Sequence, residues 1–136
     1  DNLVQCWGRN HYGQLGLGNN NDTNSPSLVT SQGSNAQKIA TLYGHTCFIK
    51  NDATVWCTGF NDYGQLGDSS NNLSNTPVQV NLPVSITPLD IGAGRFHSCI
   101  LTDTINGIYC WGRGIYGQLG NDSTDAKTTP TLVQSL

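Results

Sequence analysis

The 136-residue sequence has no methionine and no glutamate, and it has few lysines and alanines. Because these residues are among those that most favour helices, a helical bundle is excluded. Glycine, asparagine and threonine occur instead, in 16, 15 and 14 copies. Glycine and asparagine favour turns, and threonine favours strands. The composition therefore predicts an all-β, turn-rich chain.

Charge is also scarce. Charged residues make up 11% of the chain, well below the roughly 25% of an average soluble domain. Six basic residues and a net charge of −3 disfavour binding of nucleic acid through a basic surface. No apolar run approaches the roughly 18 residues of a transmembrane helix, so membrane insertion is not expected. Three tryptophans, five tyrosines and three phenylalanines argue against a disordered chain.

One pattern occurs three times along the chain. The segment Tyr-Gly-Gln-Leu-Gly, which each time follows a cysteine by six residues, occurs at residues 12–16, 63–67 and 116–120. The offsets between successive copies are 51 and 53 residues. Matching lengths at three places indicate a tandem array, and a repeat of this kind decides the fold.

A second block supports the same period. His45-Thr46-Cys47 matches His97-Ser98-Cys99 in position within the repeat. We therefore expect a single domain, residues 1–136, made of tandem repeats. The repeat cores lie at 6–16, 45–67 and 97–120.

The period and the cysteine-bearing segments predict the architecture. A repeat of about 50 residues with short strands and glycine-rich turns is typical of four-stranded propeller blades. When Cys47 is folded opposite Cys57 in a β-hairpin, Phe48 lies opposite Trp56 on the other face. Both faces of this hairpin are then apolar. An ordinary surface sheet has one polar face, whereas a blade packed between two others does not.

These segments resemble the regulator of chromosome condensation repeat in its cysteine-containing form. The residues that carry the resemblance are His45-Thr46-Cys47, His97-Ser98-Cys99, Cys6-Trp7-Gly8, Cys110-Trp111-Gly112 and the three Tyr-Gly-Gln-Leu-Gly segments. The resemblance covers nearly the whole chain and implies a partial β-propeller, about two and a half four-stranded blades of a ring that typically has seven. Two positions depart from the pattern: Thr58 replaces the tryptophan, and Ala53 replaces the usual glycine of the hairpin turn.

Four of the five cysteines are predicted to form two disulfides. Directly opposed residues of antiparallel strands have Cα atoms about 4.5–5.5 Å apart, which is within the range of a disulfide. The hairpins place Cys47 opposite Cys57 and Cys99 opposite Cys110. Buried free thiols are the alternative, because cysteine packs well as a small hydrophobic side chain. No Cys-x-x-Cys occurs and a hairpin pair supplies only two ligands, so a metal site is not expected.

Cys6 is left without a partner. By the repeat, its partner would lie in a strand that precedes Asp1, and Leu136 stops before another His-x-Cys strand. We therefore expect a portion of a longer polypeptide or one part of an assembly. Because disulfides need an oxidising compartment, an extracellular or cell-surface location is expected.

The sequence indicates no catalytic or cofactor site. No serine lies in a Gly-x-Ser-x-Gly segment, and the Tyr-Gly-Gln-Leu-Gly segments lack the lysine of a phosphate-binding loop. We expect their glycines to form a tight turn that their leucines anchor in the core. His45 and His97 occupy one repeat position two residues before a cysteine, which indicates a scaffold role with a hydrogen bond to neighbouring backbone. The chain is predicted not to be an enzyme.

Three asparagines begin Asn-x-Ser/Thr sequons, at Asn21, Asn72 and Asn121. In a surface loop of a secreted protein these are candidate N-glycosylation sites. The alternative is that a chain so rich in asparagine, serine and threonine contains such triplets by chance.

The variable loops are the candidate binding surface. Loops on a rigid scaffold commonly carry binding residues, and arginine and aromatic side chains dominate the hot spots of protein interfaces. The candidate binding residues are Arg9, His11, Phe60, Asp62, Arg113 and Ile115. We expect Arg9, Phe60 and Arg113 to be exposed.

The first functional hypothesis is a non-catalytic extracellular module that binds a protein or a glycan through these loops. The alternative is a structural subunit of an extracellular layer or filament, which assembles with further blades of a longer chain or with copies of itself. The resemblance also implies guanine-nucleotide exchange on a small GTPase and, through secreted relatives, β-lactamase inhibition. Oxidised cysteines contradict the nuclear or cytosolic setting of exchange, and no residue identifies an inhibitor.

Overall fold

A computed structural model describes residues 2–30, 33–105 and 107–134, which form antiparallel sheets and, within these ranges, no helix. These described residues therefore contain no helix that could cross a membrane. The strands are β1 (Gln5–Gly8), β2 (Thr23–Leu28), β3 (Ala36–Leu42), β4 (His45–Lys50), β5 (Val55–Gly59), β6 (Ser74–Gln79), β7 (Pro88–Ala93), β8 (His97–Thr102), β9 (Ile108–Gly112) and β10 (Lys127–Leu132).

The strands form three sheets that we call blades. Blade 1 is the pair β1-β2, blade 2 has the order β3-β4-β5-β6, and blade 3 has the order β7-β8-β9-β10. In blades 2 and 3 every strand pairs with its neighbour in sequence, which is the meander of a propeller blade. The first strands of these blades, β3 and β7, contact each other and form the inner edge of the stack. The predicted partial propeller of about two and a half blades is confirmed.

The central hairpins have the register that the sequence predicts. Cys47 pairs with Cys57 and Phe48 with Trp56, and β8 and β9 show the equivalent pairing. The two opposed cysteine pairs are disulfide-bonded, each with Cα atoms 4.1 Å apart. At the β4–β5 turn, Ala53 occupies the position of the usual glycine and has a φ of 63°. This left-handed conformation is unfavourable for an L-residue with a Cβ atom.

Both faces of blade 2 are buried, as the alternation predicts. The face that carries Cys47 packs on blade 3 in a core of Cys47, Ile49, Val55, Cys57, Leu66, Val80, Ile100 and Trp111. The opposite face packs on blade 1, where Phe48 contacts Val4 and Val29. Apolar burial between blades therefore stabilises the stack.

Side chains also tie each blade to the turn of the preceding repeat. Trp111 donates its indole N–H to the carbonyl oxygen of Gln65 at 2.8 Å. Thr58, which replaces the equivalent tryptophan, donates its hydroxyl to the carbonyl oxygen of Gly13 at 2.9 Å. The threonine is nearly fully buried, so the departure from the repeat pattern keeps a hydrogen bond to the same turn.

Candidate functional site

The Tyr-Gly-Gln-Leu-Gly segments form rigid turns at one end of the strands. In the second copy, the side-chain oxygen of Gln65 accepts a hydrogen bond from the backbone N–H of Tyr63 at 3.0 Å, and Leu66 is fully buried. Gly64 has a φ of +81°, and a Cβ atom there would lie 2.7 Å from the Cα of Thr128. The turn therefore requires glycine for its conformation and for its close approach to the next blade.

A buried asparagine organises the loop that follows each of the first two turns. The oxygen of the Asn61 side chain accepts from the N–H of Leu66 at 2.9 Å. Its amide nitrogen donates to the carbonyl oxygens of Ser70 and Asn72, at 3.1 and 3.0 Å. Asn10 makes the equivalent contacts in the first repeat. The sequence reasoning missed this role, although asparagine at the same offset in two copies was the available signal.

The third repeat lacks this asparagine. Gly114 occupies its position, and a Cβ atom there would collide with the carbonyl oxygen of Asp125. The loop therefore closes over the glycine. Asn121 lies in this loop, and its side-chain oxygen is buried without a hydrogen-bond partner among the described residues.

Five aromatic rings meet at the same end of the blades as these turns. Each ring lies between 5.0 and 6.2 Å, centroid to centroid, from at least one other ring. This aromatic cluster consists of Tyr12, Tyr43, Phe60, Tyr63 and Phe96. The ring pairs are tilted or edge-on, and edge-to-face geometry is favourable for aromatic contacts.

Strand register explains why residues so far apart in sequence meet here. His45 at the start of β4 pairs with Gly59 at the end of β5, and His97 pairs with Gly112 in the same way in blade 3. The β3–β4 and β7–β8 turns therefore lie beside the loops that follow β5 and β9. Rings from these two turns and from the loops that follow β1 and β5 come together at one end of the stack.

Two arginines lie over the aromatic cluster. The guanidinium carbon of Arg95 is 4.7 Å from the ring centroid of Tyr43 and 5.0 Å from that of Phe96. The guanidinium carbon of Arg113 is 5.6 Å from the Phe96 centroid and 5.1 Å from that of Tyr63. These are cation–π contacts. We call the aromatic cluster together with Arg95 and Arg113 the arginine–aromatic face.

Within the described residues, none of the guanidinium groups at this end forms an ion pair. The ion pair that these residues contain joins Lys38 to Asp90. Arg9 instead donates its Nε–H to Nδ1 of His11 at 2.6 Å. Arginine stays charged at any ordinary pH. The face therefore presents positive charge that no carboxylate of this part of the chain neutralises.

Hydrogen bonds at the face also shift two tyrosine pKa values. Hydrogen bonds with Tyr12 and Arg95 lower the pKa of Tyr43 below its usual value of 10.0. The hydrogen bond with Tyr43 raises the pKa of Tyr12. The two hydroxyl groups and the Arg95 guanidinium are thus electrostatically coupled on the rim of the face.

The structure places the predicted binding residues at this end but corrects two of them. Four of these predicted residues are exposed: Arg9, His11, Asp62 and Ile115. The expectation that Phe60 and Arg113 are exposed is wrong, because each packs against rings of the aromatic cluster and is half-buried.

The sequence reasoning also missed Tyr43, Arg95 and Phe96, which lie in the turns before the second strands of blades 2 and 3. The available signal was their position directly before the repeated His-x-Cys block, on the same side of the hairpins as the variable loops. That position becomes informative only when the strand order is known.

His45 is a buried scaffold residue. Its Nε2 lies 2.9 Å from the hydroxyl oxygen of Ser98 on the next blade, and the hydrogen bond to backbone stays a prediction. Burial, followed by the charge of His97, lowers the pKa of His45 to about 4. The described residues contain no group of three or more histidine, cysteine or acidic side chains placed to hold a metal ion.

Cys6 and the sequons occupy different environments. Cys6 is a half-buried free thiol, and burial raises its pKa. Its partner stays a prediction. Asn21 and Asn72 are exposed, whereas Asn121 is half-buried.

Blades that stack through apolar faces and repeat one strand order define a tandem-repeat β-propeller. The family model of the regulator of chromosome condensation (RCC1) repeat matches residues 1–49, 52–101 and 106–136, and a second model of the same repeat matches 38–65 and 89–118. The chain belongs to the RCC1 repeat family.

Among curated proteins, the chain is similar to the E3 ubiquitin-protein ligase HERC2 of Homo sapiens, with 33% identity over 98% of this chain and 3% of that protein. It is also similar to the ultraviolet-B receptor UVR8 of Arabidopsis thaliana, with 30% identity over 98% of this chain and 30% of that protein. The chain therefore spans less than a third of either relative.

Solved structures show the same fold. Human WBSCR16 superimposes with a TM-score of 0.84 at 21% identity, covering 99% of this chain and 36% of that one. Yeast RCC1 (Prp20), in its complex with Kap60, superimposes with a TM-score of 0.81 at 25% identity, covering 98% of this chain and 34% of that one.

Proposed function

We propose that this chain is a non-catalytic, extracellular, protein-binding part of an RCC1-repeat propeller, and that the arginine–aromatic face is its binding surface. The observation that carries the proposal is the placement of two guanidinium groups over one packed aromatic cluster. Arginine, tyrosine and other large aromatic residues supply most of the energy at protein interfaces.

The face is held rigidly, which favours binding. Its rings pack on one another, and the turns that carry them are held by buried side chains such as Leu66 and Asn61. A preorganised surface loses little conformational entropy when a partner binds. The same residues on mobile loops would bind more weakly.

The relatives support a protein partner. Yeast Prp20 has been solved in complex with Kap60, and a second structure of Prp20 is reported with its binding to Gsp1p and histones. These partners are proteins, and the part of Prp20 that matches this chain is about a third of its length. For this chain we propose the same class of partner, a protein, without transferring any of those identities.

The disulfides support the extracellular location. The pair Cys47–Cys57 is fully buried, and Cys99–Cys110 repeats it in blade 3. Such bonds persist in oxidising compartments. A scaffold role for the buried His45, which contacts Ser98 between blades, supports the absence of catalysis.

Site-specific photo-crosslinking tests the proposal. A photoreactive amino acid placed at Ile115, which is 52% exposed beside the face, is compared with one at Ile105, which is 95% exposed in the β8–β9 turn at the opposite end. Both proteins are irradiated in medium conditioned by cells of the source organism. We expect discrete protein adducts from position 115 and none of the same mass from position 105. Equal adducts from both positions, or none from position 115, would refute the binding role of the face.

A second candidate function is structural, and the exposure of Trp7 favours it. Trp111, at the same repeat position, is fully buried against the face of blade 2 that carries Ile49, whereas Trp7 is 59% exposed. On blade 3, Leu101 holds the position of Ile49 and is exposed. The Leu101 face, of a second copy or of the neighbouring blade of a longer chain, therefore matches the Trp7 face. Between copies this is a head-to-tail contact that builds filaments.

The mass of the chain in solution tests this second function. Wild-type chain that assembles head to tail shows a concentration-dependent mass by light scattering, and Trp7→Lys abolishes it. Ile105→Lys is the matched control and leaves the assembly unchanged. A monomeric wild-type chain at high concentration would exclude the structural function.

A further inference from the structure

The arginines of this protein are concentrated in one region. The sequence contains Arg9, Arg95 and Arg113, and each lies in a turn or loop at the end of the blades that carries the aromatic cluster. The ion pair between Lys38 and Asp90 involves β3 and β7 instead. Lys127 pairs with Gly112 at the same end, but the positive groups that lie over the rings of the aromatic cluster are guanidinium groups.

The guanidinium groups are oriented by contacts that leave donors free. The guanidinium carbon of Arg95 lies over the rings of Tyr43 and Phe96, and a guanidinium group has five N–H donors. The nearby Arg95 guanidinium also lowers the pKa of the Tyr43 hydroxyl. Since neither Arg95 nor Arg113 is ion-paired within the described residues, edge donors remain for an acceptor from outside.

The spacing of the two groups fits an extended peptide. Arg95 and Arg113 lie over the same Phe96 ring, at 5.0 and 5.6 Å from its centroid, so their separation is no more than the sum of these distances. In an extended strand, side chains two residues apart lie on the same side about 6.6 Å from each other. The spacing of two carboxylates at alternate positions therefore lies within the separation that these distances allow the two guanidinium groups.

The charge of the rest of the protein limits which anions fit. Polyanions such as nucleic acids are bound through many basic contacts, whereas this chain has six basic residues in all and a net charge of −3. Asp62 is exposed near the face and would repel a densely charged polymer. A short acidic segment that also contains apolar side chains matches both the arginines and the aromatic rings.

We infer that the arginine–aromatic face binds an acidic segment of a protein partner, in extended conformation, whose alternate carboxylates pair with Arg95 and Arg113. Such pairs are charge-assisted hydrogen bonds that arginine forms in bidentate geometry. Phe96 and Tyr63 contact apolar side chains that flank the carboxylates on the same side of the extended segment. This inference rests on the proposed protein-binding function and specifies the chemistry of the partner.

The test measures binding of the whole chain to defined peptides by fluorescence anisotropy. The probe is a fluorescein-labelled twelve-residue peptide in which glutamate and leucine or tyrosine share the alternate positions on one side of the extended strand and serine occupies the other side. Its control replaces every glutamate with glutamine. We expect the glutamate peptide to bind, with an affinity that falls as salt is raised, and the glutamine peptide to bind at least tenfold more weakly. Equal binding of both peptides would overturn the inference.

Variants locate the binding on the protein. The double variant Arg95→Gln, Arg113→Gln is expected to bind the glutamate peptide with an affinity that is about tenfold lower for each guanidinium group removed. A lost charge-assisted hydrogen bond corresponds to about that factor. Lys38→Gln removes the same charge elsewhere and is the matched control. Asp62→Asn removes a repelling carboxylate and is expected to tighten binding. Equal weakening by Lys38→Gln and by a single arginine substitution would contradict the assignment.

Two further measurements separate the possible failures. Arg95→Lys with Arg113→Lys keeps the charge and loses the planar fork. An affinity for the glutamate peptide well below that of the wild type therefore supports bidentate pairing, also where the glutamine variants unfold, and an unchanged affinity would overturn it. Heparin and duplex DNA, tested in the same assay, overturn the inference if they bind more tightly than the peptide. If position 115 still gives protein adducts while the acidic peptide does not bind, the binding function stands and the acidic partner is wrong.

Discussion

Acidification is expected to destabilise this protein through His45. The imidazole is buried between blades 2 and 3, and its Nε2 lies 2.9 Å from the hydroxyl oxygen of Ser98. Burial, followed by the charge of His97, lowers its pKa from 6.5 to about 4. In the unfolded chain the imidazole takes up a proton near pH 6.5, but in the folded protein it does so only near pH 4. The unfolded state therefore binds more protons in this window, and stability falls as the pH falls.

The size of the effect follows from the pKa shift. Each pKa unit corresponds to about 1.4 kcal/mol, so the shift from 6.5 to about 4 corresponds to a loss of about 3 kcal/mol that is complete near pH 4. Above pH 6.5 the residue contributes no pH dependence. His97 adds a loss of the same sign, because burial also lowers its pKa.

Urea unfolding, followed by tryptophan fluorescence at several pH values between 7.5 and 4, measures this loss. His45→Gln removes the titrating group, so its stability is expected to fall less across the window than that of the wild type. His11→Gln, which changes an exposed histidine, is the control and should behave as wild type. An NMR titration of the His45 imidazole gives the same pKa without a variant. A titration near pH 6.5, or an equal fall in wild type and His45→Gln, would refute the reasoning.

Three further predictions concern the hairpins and the loops. Ala53→Gly is expected to raise the free energy of unfolding by up to about 1 kcal/mol, because it relieves the left-handed φ of 63°; a lower urea midpoint would contradict this. Replacing both Cys47 and Cys57 by alanine should lower stability by about 3 kcal/mol, the chain-entropy value for a loop of this size, and an unchanged midpoint would contradict it. In a eukaryotic secretory host, mass spectrometry should find a glycan on Asn72, which is exposed, and none on Asn121, whose side-chain oxygen is buried; occupancy of Asn121 would count against this interpretation.

The sequence by itself determined the blade. The offsets of 51 and 53 residues between copies of one pattern specify a repeated unit, and alternation along the strands specifies its two apolar faces. The opposed positions of Cys47 and Cys57 follow from a hairpin with a short turn, which leaves little choice of register. These features are predictable because they depend on residues that are close in sequence or repeated at a constant interval.

Only the tertiary structure decided what the end of the stack presents. Tyr12, Tyr43, Phe60 and Phe96 come from three repeats, and their contacts exist because stacked blades bring their turns to the same end. Burial differs for the same reason: Phe60 was expected to be exposed but packs between neighbours that no local pattern specifies. A residue's side-chain surroundings depend on the neighbouring blade, whereas its place in a strand depends on its own repeat.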